Sequence, residues 1–110
     1  MEDTKSQQLS FTKMQGAGND FIIIDDNQNL SFEDLQRLAP KLCDRHFGIG
    51  ADGIILVGKS DKEVGECSMR ISNTDGSEEP MCGNGIRCLV KYVIDNGIVS
   101  SDINPVRVET

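Results

Sequence analysis

The residues best suited to chemistry lie in the stretch NTDGSEEPMCGNGIRC, residues 73–88. Cys82 precedes Gly83, Asn84 and Gly85, at the start of a segment whose pattern is typical of a helix. The first N–H groups of a helix have no intrahelical partner, and the helix dipole adds about half a positive charge there. A carboxylate or phosphate can bind at such a site where small residues leave room for it. The same field favours a thiolate, so Cys82 is a candidate acid or base.

The four cysteines, at positions 43, 67, 82 and 88, fit reduced thiols better than a disulfide or zinc framework. None lies two residues from another, and the lone His46 makes no zinc-type pair with Cys43. Free cysteines are most often small buried hydrophobes, and we expect this of Cys43, Cys67 and Cys88. The spacing alone leaves Cys82 open between a reactive thiolate and a buried thiol.

Length and charge limit the class of protein. The chain has 110 residues and a net charge of −7, from 11 basic and 18 acidic residues. This size predicts one domain, and the acidic balance argues against nucleic acid or an anionic membrane as partner. The first ten residues, MEDTKSQQLS, lack the apolar core of a signal peptide, and no apolar run approaches the roughly 20 residues that span a bilayer. We therefore expect a soluble cytoplasmic protein.

The first half of the chain predicts two strands and a helix. LSFTKM and DFIIIDD are typical of strands, and QGAGN between them predicts a tight turn at Gly16 and Gly18. Ser31 and Asp34 form a capping-box pattern, and Pro40 predicts a kink or break in the helix that follows. The apolar face of this helix consists of Phe32, Leu35, Leu38, Ala39 and Leu42.

The second half alternates between strands and a helix. IILVG predicts a buried strand, and ECSMRISN alternates with a period of two, which predicts a half-buried strand. GIRCLVKYVIDNG predicts a helix that ends near Gly97, and NPVRVET predicts a last strand. The apolar face of that helix consists of Ile86, Leu89, Val90 and Val93. The order of elements predicts an α/β or α+β fold.

A second glycine motif, GIGADG at residues 48–53, matches the G-x-G-x-x-G pattern of dinucleotide-binding proteins. That fingerprint requires a strand before it and a helix after it, so that the helix start meets the pyrophosphate. Here a predicted helix precedes the motif and a predicted strand follows it. We therefore expect a glycine-rich turn, which can line a ligand site, and no nucleotide.

Three blocks of the sequence together resemble the diaminopimelate epimerase family. NTDGSEEPMCGNGIR resembles the family's active-site signature, Asn-x-Asp-Gly-Ser, four residues, then Cys-Gly-Asn-Gly-x-Arg. FTKMQGAGNDF resembles its N-terminal segment, and RHFGIGADG resembles its glycine-rich loop. The blocks span nearly the whole chain in the family's order. Related racemases of the same fold typically have histidine in place of Asn84, so Asn84 favours the epimerase.

The resemblance implies a mixed α/β sheet wrapped around a central helix, and a cofactor-independent exchange of LL- and meso-diaminopimelate in lysine biosynthesis. Cys82 matches one of two catalytic cysteines. Asn19 and Asn73 match residues that hydrogen-bond the substrate, although turn capping would also explain both. Gly83 and Asn84 match the main-chain cradle for the substrate carboxylate. His46 has no role in this match, and neither metal nor cofactor is implied.

The main departure from the family is length, since its members are about twice this size and have two similar domains. The resemblance therefore implies that residues 1–110 are the N-terminal domain, with residues 1–9 disordered and a C-terminal domain as missing partner. With one of two cysteines, the chain is expected to be inactive alone, and its interdomain surface could drive homodimerisation. Two alternatives stay open: another racemase or isomerase of this fold, and a non-catalytic carboxylate-binding domain.

Overall fold

A computed structural model describes residues 9–16, 18–28, 30–59, 66–80, 83–96 and 107–109. In chain order, the elements are β1 (Thr12–Gly16), β2 (Asn19–Asp25), a short 3-10 helix (Asp26–Gln28), α1 (Phe32–Leu42), β3 (Gly53–Lys59), β4 (Glu66–Asn73), β5 (Glu78–Glu79), α2 (Gly83–Asp95) and β6 (Arg107–Glu109). Within these ranges, neither helix is long and apolar enough to cross a bilayer.

The described strands form one mixed sheet in the order β1-β2-β3-β4-β5, and β6 pairs with the first residues of β4. The β2–β3 and β4–β6 pairs are parallel, and the other pairs are antiparallel. Parallel neighbours need a crossover connection, and α1 supplies the one between β2 and β3. The expected α/β class with a mixed sheet is confirmed.

The two helices cover opposite faces of the sheet. On one face, Phe21 and Ile23 of β2 pack in a cluster with Leu89 and Val93 of α2. On the other face, Ile22 and Ile24 pack in a cluster with Leu35 and Ala39 of α1. A strand covered on both faces needs apolar residues at successive positions, which explains the continuous run FIII. α2 contacts β1, β2, β3 and β4, so it is the helix around which the sheet packs.

Helix α1 begins as its sequence predicts but does not break at Pro40. The Ser31 side chain accepts from the backbone N–H of Asp34, and the Asp34 side chain accepts from that of Ser31. The helix continues past Pro40 to Leu42, so the predicted break is wrong. Pro40 lies in the last turn of the helix, where the hydrogen bond lost with its N–H affects few residues. The N–H of Cys43 still donates to the carbonyl of Ala39 at 2.9 Å.

Strand β4 alternates as predicted over residues 67–71, but Ser72 on its opposite face is also buried, and the buried face of α2 is displaced from the predicted one. Cys67, Met69 and Ile71 are buried in the cluster on the α2 side. In α2 the buried residues are Gly85, Cys88, Leu89, Tyr92 and Val93, and Ile86 is partly buried against them. Val90 is only half-buried and does not join this cluster, so its predicted place on the core face is wrong. The apolar body of Tyr92 packs there although its hydroxyl is polar.

Of the segment expected to be disordered, residues 1–9, residues 1–8 lie outside the described ranges. Gly97, near which α2 is predicted to end, also lies outside them, while the helix itself ends at Asp95. Leu9, the first described residue, is partly buried against the cluster on the α1 side.

Candidate functional site

Four strands begin or end at one edge of the sheet, next to the start of α2. Strand β2 begins there at Asn19, β3 begins at Gly53, β4 ends at Asn73, and Gly16 ends β1 beside the start of α2. The register fixes this arrangement, because Gly53 is paired with Phe21 on one side and with Asn73 on the other. Most of the residues singled out from the sequence therefore lie along one edge.

The hairpin between β1 and β2 depends on two glycines at this edge, one for its backbone conformation and the other for its lack of a side chain. Gly18 has a φ of 94°, a conformation that L side chains rarely adopt. Gly16 instead provides space: a Cβ there would lie 3.0 Å from Sγ of Cys88 and 3.2 Å from the carbonyl oxygen of Asn84. The hairpin thus packs directly against the first turns of α2.

This packing brings two predicted site residues into contact. Nδ2 of Asn84 donates to Oδ1 of Asn19 at 2.7 Å, across 65 positions of sequence. Gly83, the first residue of α2, is exposed, and a Cβ built on it would have no heavy atom of another described segment within 4 Å. The described residues therefore leave the helix start open to a small anion on this side. Cys82 lies outside the described residues, and its assignment stays a prediction.

Asn73 lies at the same edge, but its side chain is engaged in a turn. Its Nδ2 donates to Oγ of Ser77 at 3.0 Å and to Oε1 of Glu79 at 3.3 Å. Its backbone N–H donates to the carbonyl of Ser77 at 2.8 Å. Asn73 in β4 and Phe21 in β2 both pair with Gly53 of the strand between them, so their Cα atoms are about 10 Å apart. The turn-capping interpretation accounts for these contacts, and a substrate contact of Asn73 stays a prediction.

A charged cluster lies directly behind Asn19. Asp20, only 7% exposed, accepts from Nη1 and Nη2 of Arg45 at 3.1 and 2.8 Å and pairs with Nζ of Lys13 at 3.2 Å. Arg45 also donates to Oδ1 of Asp52 at 3.1 Å. The hydrogen bonds from Arg45 hold the pKa of Asp20 well below its ordinary value, and those to Asp20 raise the pKa of Arg45. With two acids and two bases, the cluster carries no net charge at neutral pH.

Sequence reasoning did not single out the three central members of this cluster, Asp20, Arg45 and Asp52. One signal was available for Asp20, because an acid that joins a fully buried apolar strand requires a cationic partner. Nothing local in the sequence identified that partner, which lies 25 positions away.

The glycine-rich loop between α1 and β3 positions Arg45 and Asp52. It folds back onto the helix end, where the N–H groups of Gly50 and Ala51 donate to the carbonyls of Leu42 and Cys43. Gly50 has a φ of 84°, and a Cβ on Gly48 would overlap the carbonyl oxygen of Lys41. The predicted order of helix, loop and strand is confirmed. The glycines serve to close this loop, and the loop does not lead into a phosphate-binding helix.

The described cysteines are buried, as predicted for Cys43, Cys67 and Cys88. Burial raises the pKa of the Cys43 and Cys67 thiols, which keeps them protonated at neutral pH. In the described part of the chain, no group of three or more His, Cys, Asp or Glu side chains has the arrangement of a metal site.

The fold defines a class of α/β proteins that includes isomerases. The crystal structure of methylitaconate-delta-isomerase superposes with a TM-score of 0.67 at 15% identity, over 88% of this chain and 29% of that one. A PhzF-family phenazine biosynthesis protein from Bacillus anthracis superposes with a TM-score of 0.65 at 22% identity, over 93% of this chain and 31% of that one. At these identities the similarity establishes the fold alone.

Sequence comparison establishes the family. The sequence model of the diaminopimelate epimerase family matches residues 11–110, and the chain belongs to that family. The diaminopimelate epimerase of Caldanaerobacter subterraneus is 54% identical over 84% of this chain and 32% of its own length. That of Desulfitobacterium hafniense is 52% identical over 93% of this chain and 35% of its own length. The chain thus spans about a third of the curated relatives that it matches. The expectation that family members are about twice its size is therefore wrong, since these relatives are about three times as long.

Proposed function

We propose that this chain supplies one half of the active site of a diaminopimelate epimerase, an isomerase that interconverts LL- and meso-diaminopimelate in lysine biosynthesis. The observation that carries the proposal is the contact between Asn19 and Asn84 beside the open start of α2 at Gly83. Relatives at about 50% identity that are named diaminopimelate epimerase support the substrate.

The open helix start suits the carboxylate next to the reacting carbon. Removing the α-proton of an amino acid moves negative charge toward that carboxylate. The N–H groups of the first turn of the 13-residue helix α2, which have no acceptor within the helix, can stabilise this charge together with the helix dipole. Because Gly83 has no side chain, a carboxylate can approach the backbone closely. In this proposal the chain's own backbone dipoles stabilise the carbanion, and no cofactor is required.

Proton transfer in this proposal is assigned to Cys82, which directly precedes Gly83 in the chain. Inversion at carbon requires a base on one face and an acid on the other, so a single thiol cannot complete it. The second group must come from residues outside this chain. We therefore propose that residues 1–110 do not epimerise alone and that the complete enzyme acts in the cytoplasm.

A hybrid enzyme tests the proposal directly. The chain would replace the matching third of the Caldanaerobacter subterraneus relative, which is 54% identical over the matched region. The hybrid and the isolated chain would each be incubated with LL-diaminopimelate, and the meso form measured by chiral chromatography. We expect turnover by the hybrid and none by the chain. Light scattering of the isolated chain at rising concentration would check the predicted homodimer.

Two cysteine variants of the hybrid separate chemistry from folding. Cys82→Ala should reduce turnover by about 10²–10⁴-fold, which is the contribution of a general acid or base. Cys67→Ala is the matched control, since Cys67 lies near the other end of β4 and is buried in the core. It should keep most of the activity below its melting temperature. A cooperatively folded hybrid that converts no diaminopimelate, or a Cys82→Ala hybrid with full activity, would contradict the proposal.

A further inference from the structure

The carboxylate of Asp52 connects the charged cluster to the start of α2. Its Oδ1 accepts from Nη2 of Arg45 at 3.1 Å. Its Oδ2 accepts from the backbone N–H of Asp20 at 3.0 Å and from Nδ2 of Asn19 at 3.3 Å. In return, the backbone N–H of Asp52 donates to the carbonyl of Asp20 at 2.9 Å, which fixes the backbone on both sides. The Asp52 carboxylate is therefore held in place by Arg45 and by the backbone of β2, and Asn19 donates to this fixed carboxylate.

The chemistry of these groups gives the chain of bonds a direction. An ionised carboxylate can only accept hydrogen bonds, so Asn19 must turn its NH₂ group toward Asp52. Its carbonyl oxygen Oδ1 is then left to face Asn84, and it accepts from Nδ2 of Asn84 at 2.7 Å. Asn84 in turn directs its own Oδ1 toward Nη1 of Arg87, 3.4 Å away. Asp52, which can only accept, thus sets the direction of the two amides from one end, and the longer contact with Arg87, which can only donate, agrees with it at the other.

We propose that Asp52, held by Arg45, is a positioning residue that fixes the direction of the Asn19 and Asn84 amides and so orders the start of α2. Its kinetic consequence rests on the proposed function, because it concerns how the substrate is held there. Reversing the Asn19 amide alone would put two NH₂ groups 2.7 Å apart at the Asn84 contact. Asn84 could then keep neither its present amide direction nor its hydrogen bond to Asn19.

Exposure separates this positioning role from a contribution to folding. The side chains of Arg45 and Asp52 are 53% and 39% exposed, and ion pairs this exposed add little to stability. Arg45 also has a better partner in Asp20, which it contacts with two nitrogens. Removing the charge of Asp52 should therefore leave the fold almost as stable as before. What the substitution removes is the acceptor-only carboxylate that sets the direction of the Asn19 and Asn84 amides.

The first test measures amide direction in the 110-residue chain and does not depend on activity. In ¹⁵N-labelled protein, Asp52→Asn should shift or broaden the side-chain NH₂ signals of Asn19 and Asn84. The NH₂ signal of Asn73 is the internal reference, because that group donates to Ser77 and Glu79 and not to Asp52. The matched control is Asp95→Asn, which breaks an exposed pair with Lys91 in the last turn of α2. Unchanged Asn19 and Asn84 signals in Asp52→Asn would overturn the proposal.

The second test uses the hybrid enzyme. Misplacing a substrate-positioning group by about 1 Å can cost about 100-fold in rate, and we expect Asp52→Asn, which loosens the Asn19 and Asn84 amides, to lower kcat by about 10- to 100-fold. KM should change less than about threefold, because the oriented helix start acts most strongly as charge develops on the carboxylate. Asp95→Asn should leave both constants unchanged, with a similar melting temperature for the two variants. Unaltered kcat in Asp52→Asn despite shifted amide signals would refute the positioning role. An inactive parent hybrid would instead contradict the proposed function, and the amide signals would still decide whether Asp52 sets their direction.

Discussion

Replacing Asp20 by asparagine should weaken the fold at neutral pH and remove part of its acid sensitivity. Asp20 is 7% exposed and accepts from Arg45 at 2.8 and 3.1 Å, with Lys13 at 3.2 Å. A hydrogen bond to a charged group contributes about 1.5–3 kcal/mol. Because Arg45 and Lys13 are themselves 53% and 37% exposed, solvent screening reduces the combined effect. We expect Asp20→Asn to lower the free energy of unfolding at pH 7 by about 2 kcal/mol.

The pH dependence follows from the direction of the shift. The hydrogen bonds from Arg45 lower the pKa of Asp20 in the folded state, so its contribution is complete above its unfolded value near pH 3.9. Below that value the unfolded chain binds a proton that the folded chain does not, and stability falls by about 1.4 kcal/mol per pH unit. Between pH 5 and pH 2.5, the wild type should therefore lose about 2 kcal/mol more than Asp20→Asn.

Urea denaturation followed by circular dichroism at pH 7, 5 and 2.5 would measure these differences. Asp95→Asn, the same chemical change in an exposed pair with Lys91, should differ from the wild type by less than about 0.5 kcal/mol at each pH. Two results would refute the reasoning. One is Asp20→Asn within about 0.5 kcal/mol of the wild type at pH 7; the other is a difference that is equally large at pH 2.5.

Two further substitutions test local features of the fold. Ser31→Ala removes the side-chain acceptor for the N–H of Asp34 and should cost about 1 kcal/mol of unfolding free energy, whereas Ser31→Thr should cost much less. Gly76→Ala should cost about 3 kcal/mol, because Gly76 has a φ of 92° and its Cβ would lie 2.6 Å from the carbonyl oxygen of Gln36. Gly18 has a similar φ, but a Cβ built on it would meet no heavy atom of another described segment within 4 Å. Gly18→Ala should therefore cost only about 1–2 kcal/mol of unfolding free energy. Equal losses for the two glycine variants in urea denaturation would exclude the steric contribution.

Relations between near neighbours could be predicted from the sequence. The alternation in β4 predicted the burial of Cys67, Met69 and Ile71, and the Ser31–Asp34 spacing predicted the capping box. Both depend on a strand or helix period and on contacts within one turn. The continuous apolar runs DFIIIDD and IILVG predicted strands β2 and β3. The three motif blocks resembled one family, and the match over residues 11–110 confirmed it.

Relations that depend on the packing of distant segments could not be predicted. Val90 has the right spacing for the core face of α2, but the face that the sheet buries is centred on Cys88, Leu89 and Tyr92 and leaves Val90 at its side. Pro40 lies in the last turn of α1, a position that no local pattern specified, and the helix passes through it.

The sequence by itself determined the two α-helices and the longer strands, the family and the residue types available for chemistry at 82–85, but it indicated neither β5 nor the short 3-10 helix. Only the tertiary structure decided that Asn19 meets Asn84, 65 positions away, and that Asp20 is neutralised by Arg45, 25 positions away. The physical reason is that a helix or strand period is fixed by neighbouring residues. The partner of an amide or a carboxylate is instead fixed by strand register and loop closure, which bring together side chains that have no relation along the chain.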